Sequence, residues 1–131
     1  MTQNVWASRT LCFCALAAVF FAGAADAASS NRWRLQFSGA SQSAGTIVLR
    51  FTPIGGESFD VEIGVPNDQS ENNVAQLVVG VLKEKLPSEI YQVERDDGED
   101  VLIRRRRGAA NFDLEIVSNN VEHVRINPDR E

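Results

Sequence analysis

Four consecutive arginines, Arg104-Arg105-Arg106-Arg107, are the residues of this chain best equipped to do chemistry. A guanidinium is permanently charged, planar and rich in donors, so it pairs bidentately with carboxylates and phosphates. Such a run points to a site for an anion or an acidic partner. The competing reading is an internal charge balance. From Glu94 to Arg107 there are five acids (Glu94, Asp96, Asp97, Glu99, Asp100) and five arginines, Arg95 and the run itself. The formal net charge of the chain is -5. An acidic domain repels nucleic acid unless its positive charge is segregated, and no aromatics are interleaved with these arginines. A nucleic-acid partner is therefore not expected.

Other reactive chemistry is sparse. His123 is the single histidine, and the two cysteines, Cys12 and Cys14, lie near the N-terminus. Zinc sites built from several cysteines and histidines are therefore not expected. A Ser-His-Asp triad would have to use His123, which reads as an ordinary strand residue between Glu122 and Val124, and no G-x-S-x-G elbow is present. Gly55-Gly56 lacks the lysine and helix of a phosphate loop. The acids at 96–100 are contiguous around Gly98, whereas calcium loops space theirs alternately, so this segment reads as a polar turn. No catalytic residue, metal ligand or cofactor is assigned.

The N-terminal segment has the form of a targeting signal. Arg9 precedes an apolar run from Leu11 to Ala25, and Ala25-Asp26-Ala27 fits a small-x-small cleavage site. The run covers about 15 residues, short of the roughly 20 that a membrane span needs. Residues 1–27 are thus expected to be a cleaved signal peptide and 28–131 a single domain without a membrane span, periplasmic or secreted by a bacterium. Cleavage removes both cysteines, so the exported domain is expected to be disulfide-free and to rely on its core. Removing Arg9 and Asp26 also leaves the balance at -5, with 12 basic and 17 acidic residues.

The elements that would position the arginines follow from periodicity. Trp33, Leu35 and Phe37 alternate with polar residues, as do Ile47, Leu49 and Phe51 between Thr46 and Thr52, and Phe59, Val61 and Ile63 between Ser58 and Gly64. Asp68 and Glu71 fit a capping box ahead of Val74, Leu77, Val78, Val81 and Leu82, which recur at helical spacing. Leu86-Pro87 should end that helix after about four turns. Strand periodicity returns in Tyr91 and Val93, Val101 and Ile103, Phe112 to Ile116, and a last segment from Val121 to Ile126. Six to seven strands in the order ββ(β)-α-ββββ around one helix predict an α+β fold, a mostly antiparallel sheet with the helix on one face.

Register predicts what the arginines touch. With Asp96-Asp97-Gly98 as a three-residue loop and Gly98 left-handed, Val93 pairs with Val101 and Tyr91 with Ile103. If the next two strands also form a hairpin, Ile103 pairs with Leu114 and Val101 with Ile116. Arg104 then meets Asp113, Arg105 lies beside Phe112 and Arg106 meets Asn111. On this register Arg106 and Arg107 stay freest to reach a partner, and Arg104 and Arg105 are weaker candidates. Charged residues here would also guard the strand against edge aggregation.

The succession Phe59-x-Val61-x-Ile63, helix, Tyr91-x-Val93, Asp97-Gly98, Val101-x-Ile103 and Phe112-x-Leu114 is loosely similar to small domains of flagellar and phage-tail proteins. That resemblance implies a strand–helix–hairpin pattern with a D-G turn. The export signal departs from it, and no family assignment follows. The functional expectation is an exported, non-catalytic binding domain whose partner is a protein or an envelope component, and an acidic one if the arginines bind it. A structural subunit of an extracellular or envelope assembly comes second and a small hydrolase third.

Overall fold

The computed structural model describes residues 29–131. The expected signal peptide, with Cys12 and Cys14, lies outside the described residues. The chain forms β1 (Arg32–Ser38), β2 (Gly45–Pro53), β3 (Phe59–Val65), α1 (Glu71–Lys85), β4 (Tyr91–Asp96), β5 (Asp100–Arg105), β6 (Phe112–Asn119) and β7 (Arg125–Arg130). This is the expected α+β class, and all strand pairings are antiparallel. The strands divide between two sheets, in spatial order β4-β5-β1-β7 and β3-β2-β6. The two-residue period has its physical counterpart in burial. Trp33, Leu35 and Phe37 of β1, and Ile47, Leu49 and Phe51 of β2, face a shared core while their neighbours face outward.

The sheets meet along one side and are bridged by the helix on the other. Ser30 and Phe112 exchange backbone hydrogen bonds of 2.9 Å, and the Trp33 indole Nε1 donates to the same Phe112 carbonyl at 2.9 Å. These bonds tie the start of β1 to the start of β6. Opposite, α1 contacts the outer strands β3 and β4 and reaches β1 and β5, so its buried face of Val74, Ala75, Val78, Val79 and Leu82 fills the opening. Phe51, Phe59, Tyr91 and Phe112 cluster at one end of the core, with Tyr91 edge-on to Phe112 at 5.1 Å. Burial raises the Tyr91 phenol above its ordinary value by disfavouring the phenolate. Among the described residues, no helix is long and apolar enough to cross a membrane.

Local details differ from expectation where side chains outcompete pattern. The helix begins two residues later than the Asp68 cap predicts. Ser70 is the N-cap, and its hydroxyl accepts from the Asn73 N–H at 3.2 Å. Asp68 sits in the left-handed region at φ 61, and the Glu71 carboxylate accepts from the Gly39 N–H instead of closing a box. At the other end, Leu86 is extended at ψ 141 before Pro87, as the proline requires. The last strand starts at Arg125, not Val121. Val121 and Val124 are both buried, a spacing of three that belongs to a turn, and the Asn119 side chain spans this turn by bonding Val124 O and Val121 N. His123 is therefore a turn residue with φ 74, not a strand residue. Pro128 within β7 is tolerated because an outer strand leaves one edge unpaired.

Both predicted registers around the arginines change. In the β4–β5 hairpin the faces are as expected, but the strands slide by two residues: Val93 pairs with Ile103, Tyr91 with Arg105 and Asp96 with Asp100. Gly98 is left-handed at φ 79, and Asp97 joins it at φ 48. The expected β5–β6 hairpin does not form. β5 lies between β4 and β1, while β6 pairs with β2 in the other sheet. The physical reason is visible in β5 itself: Val101, Leu102 and Ile103 are all buried, as in an interior strand with cover on both faces. The segment 106–111 is thus a crossing between sheets, not a hairpin loop.

Candidate functional site

The outward face of β4-β5-β1 is built in three cross-strand rows. Gln92, Arg104 and Arg32 form the first, Glu94, Leu102 and Arg34 the second, Asp96, Asp100 and Gln36 the third. In the third row two like charges, Asp96 and Asp100, stand directly opposite each other, and Arg34 of the second row bridges them. The Arg34 guanidinium donates to Asp96 at 3.0 Å, to Asp100 at 2.7 Å and to Glu131. These bonds raise the Arg34 pKa further and hold the Glu131 carboxyl below the ordinary glutamate range, the Arg34 hydrogen bond being the largest cause. Leu102 is only 6% exposed in the midst of this charged face. It is flanked in its row by Arg34 and Glu94, whose aliphatic stems can lie along apolar surface.

The first row lacks such a bridge among the described residues. Arg32 and Arg104 stand directly opposite each other across the β1–β5 pair. Like charges in that position are destabilising. Each has an acid on its far side: Arg104 Nη2 donates to Glu94, and Arg32 Nε pairs with Glu131 at 3.0 Å. The Nε of Arg104 is buried and has no hydrogen-bond partner among the described residues. An unpaired buried donor of this kind costs free energy, and more when the group is charged.

Arg105 and Arg107 complete the arrangement. Together with Asn31, Arg32, Arg104 and Glu131 they line an open cleft of about 470 Å³, within the range of about 300–1,000 Å³ usual for small-ligand sites. Arg105 is half-buried; its backbone N–H donates to Asn31 O at 3.0 Å, and its Nε donates to the Asn111 side chain at 2.6 Å. Arg107 is exposed and makes no side-chain hydrogen bond or ion pair among the described residues. Four guanidinium groups against the Glu131 carboxylate give the cleft a net charge of +3.

The candidate residues thus separate. Arg104, Arg105 and Arg107 come together, while Arg106 turns away. Its Nε donates to the Ser88 carbonyl and its backbone N–H to Ile90 O at 2.6 Å, so it clasps the connection between α1 and β4. It borders a separate hollow with Leu82, Lys83 and Leu86. The expected partners also change: Arg104 meets Glu94 rather than Asp113, Arg105 pairs with Tyr91 across the strands rather than Phe112, and Asn111 serves Arg105 rather than Arg106. Sequence reasoning did not find Arg32. It sits far upstream in the chain and becomes a neighbour only because β1 lies beside β5. Its alternation with Trp33 places it on the outward face but says nothing of the strand alongside.

Among the described residues, no group of three His, Cys, Asp or Glu side chains is arranged to hold a metal ion. Compared with known proteins, the chain matches no family model and no curated protein sequence.

Proposed function

We propose that this protein is an exported binding domain that holds an anionic partner, a protein or an envelope component, in the cleft formed by Arg32, Arg104, Arg105 and Arg107. The observation that carries the reading is the Arg32–Arg104 pair, two like charges facing each other across neighbouring strands at the rim of a concave surface. In the third row Arg34 bridges the like-charged Asp96 and Asp100, whereas among the described residues no side chain bridges Arg32 and Arg104. Local rules are broken mainly where function requires it, and an anion between the two guanidinium groups would relieve the repulsion. Export rests on the signal-like segment at residues 1–27.

The test is capture of partners from an envelope extract by the purified protein. Arg107→Gln should weaken capture and leave melting unchanged, Arg105→Gln with Arg107→Gln should abolish capture, and Arg106→Gln should leave it intact. Equal capture by all of these forms would remove the cleft from the account. Assembly of copies through the β3 edge is disfavoured, because Asp60 and Glu62 are exposed there and put acidic charge along that edge.

A further inference from the structure

Resting on the reading of the cleft as an anion site, we propose that its ligand is a phosphate monoester. Charge is the first argument. A single carboxylate would offset one of the three net positive charges of the cleft, whereas a phosphate monoester carries about -1.5 to -2 near neutral pH. Donor supply is the second. Arg32 commits Nε to Glu131, Arg104 commits Nη2 to Glu94, and Arg105 commits Nε to Asn111. Each of these three side chains keeps further N–H groups, and Arg107 commits none. A planar carboxylate is saturated by one or two forks, but a tetrahedral oxyanion with three terminal oxygens accepts from several guanidinium groups that do not share a plane.

Shape is the third argument. The arginines come from β1, β5 and the crossing after β5, and they surround a concavity instead of lying along a flat face. A compact tetrahedral head group placed in this open cleft is within reach of guanidinium groups from all three segments. Glu131 completes the picture as the counter-ion already in place. It lines the cleft and holds Arg32, so an incoming phosphate competes with it for that guanidinium.

The test is calorimetric titration of the purified protein, in a low-salt, phosphate-free buffer, with four probes. These are glycerol phosphate, glycerol, a hexaglutamate peptide, and vesicles of phosphatidylcholine with and without phosphatidic acid. The expected result is saturable binding of glycerol phosphate or of the phosphatidic acid vesicles, with no response to glycerol or to phosphatidylcholine alone. A response to the soluble ester identifies a free phosphate compound, and a response to the vesicles alone identifies a lipid head group.

Arg105→Gln with Arg107→Gln should weaken binding about tenfold or more, since hydrogen bonds to charged groups contribute about 1.5–3 kcal/mol each. Arg107→Gln alone should weaken it less but measurably, and it removes no side-chain hydrogen bond or ion pair among the described residues. Glu131→Gln should tighten binding about two- to fivefold, the effect of deleting one exposed competing charge. Failure of both phosphate probes overturns the proposal. If hexaglutamate binds in that case, the acidic-partner reading survives and only the phosphate assignment falls. Phosphate binding that persists unchanged in Arg107→Gln and in the double variant also overturns it.

Discussion

Replacing Arg34 by methionine removes one guanidinium and keeps an apolar stem of similar reach over Leu102. Arg34 bonds three carboxylates, and they are not equally dependent on it. Asp100 has a side chain only 10% exposed, its Oδ2 is bonded by Arg34, and its Oδ1 already has no hydrogen-bond partner among the described residues. Losing Arg34 leaves this carboxylate buried and unpaired, at a cost of about 1–3 kcal/mol. Asp96 and Glu131 are 41% and 24% exposed, and such pairs contribute only about 0.2–1 kcal/mol each. The sum is about 1.4–5 kcal/mol, and even its lower end lowers the melting temperature of a domain of this size by about 6–11 °C.

The pH dependence supplies a sharper check. Arg34 depresses the Glu131 pKa, so this pair stabilises the fold above the unfolded glutamate value, about 4.3. The contribution is lost as pH falls through the lower folded value. The gap between wild type and Arg34→Met should therefore be full at neutral pH and narrow on acidification below about pH 4. Thermal melts followed by circular dichroism from neutral pH downward measure both quantities. A variant within about 2 °C of wild type at neutral pH, or a gap that widens in acid, would refute the reasoning.

Three further outcomes follow from other parts of the fold. Gly39→Ala should cost at least about 3 kcal/mol, because Gly39 has φ +84 and an added Cβ would lie 2.1 Å from the His123 carbonyl oxygen; urea denaturation measures this. Ser70→Ala should cost about 1 kcal/mol through loss of the helix N-cap, read from the same denaturation midpoint. Burial raises the Tyr91 phenol, so its contribution is present below the unfolded value of about 10 and fades as pH rises through the folded one. Stability should decline above about pH 10, and Tyr91→Phe should flatten that decline.

Short-range pattern made most elements legible. The alternation in Trp33, Leu35 and Phe37, the helical recurrence of Val74, Val78 and Leu82, and the stop at Leu86-Pro87 all report local geometry, which neighbouring residues determine. Partnership between strands was less legible. Periodicity states which face a residue occupies but not which strand lies alongside, and a shift of two residues keeps every face correct. That is why Val93 was expected beside Val101 and is found beside Ile103. The cleft was hidden for the same reason, since Arg32 meets Arg104 only through the β1–β5 pairing. One signal pointed that way: Val101-Leu102-Ile103 is continuously apolar, and a strand so composed belongs inside a sheet with neighbours on both edges.

The central claim is that Arg32, Arg104, Arg105 and Arg107 form one anion site within an otherwise charge-matched surface. Proton–nitrogen correlation spectra of the arginine side chains, recorded during titration with glycerol phosphate and separately with hexaglutamate, test it residue by residue. The Nε–H signals of these four arginines should shift together and saturate with one of the two anions. The signal of Arg50, which Asp60 holds through two hydrogen bonds of 2.8 and 3.1 Å, should stay in place. Small, unsaturated shifts spread evenly over all the arginines with both anions would contradict it.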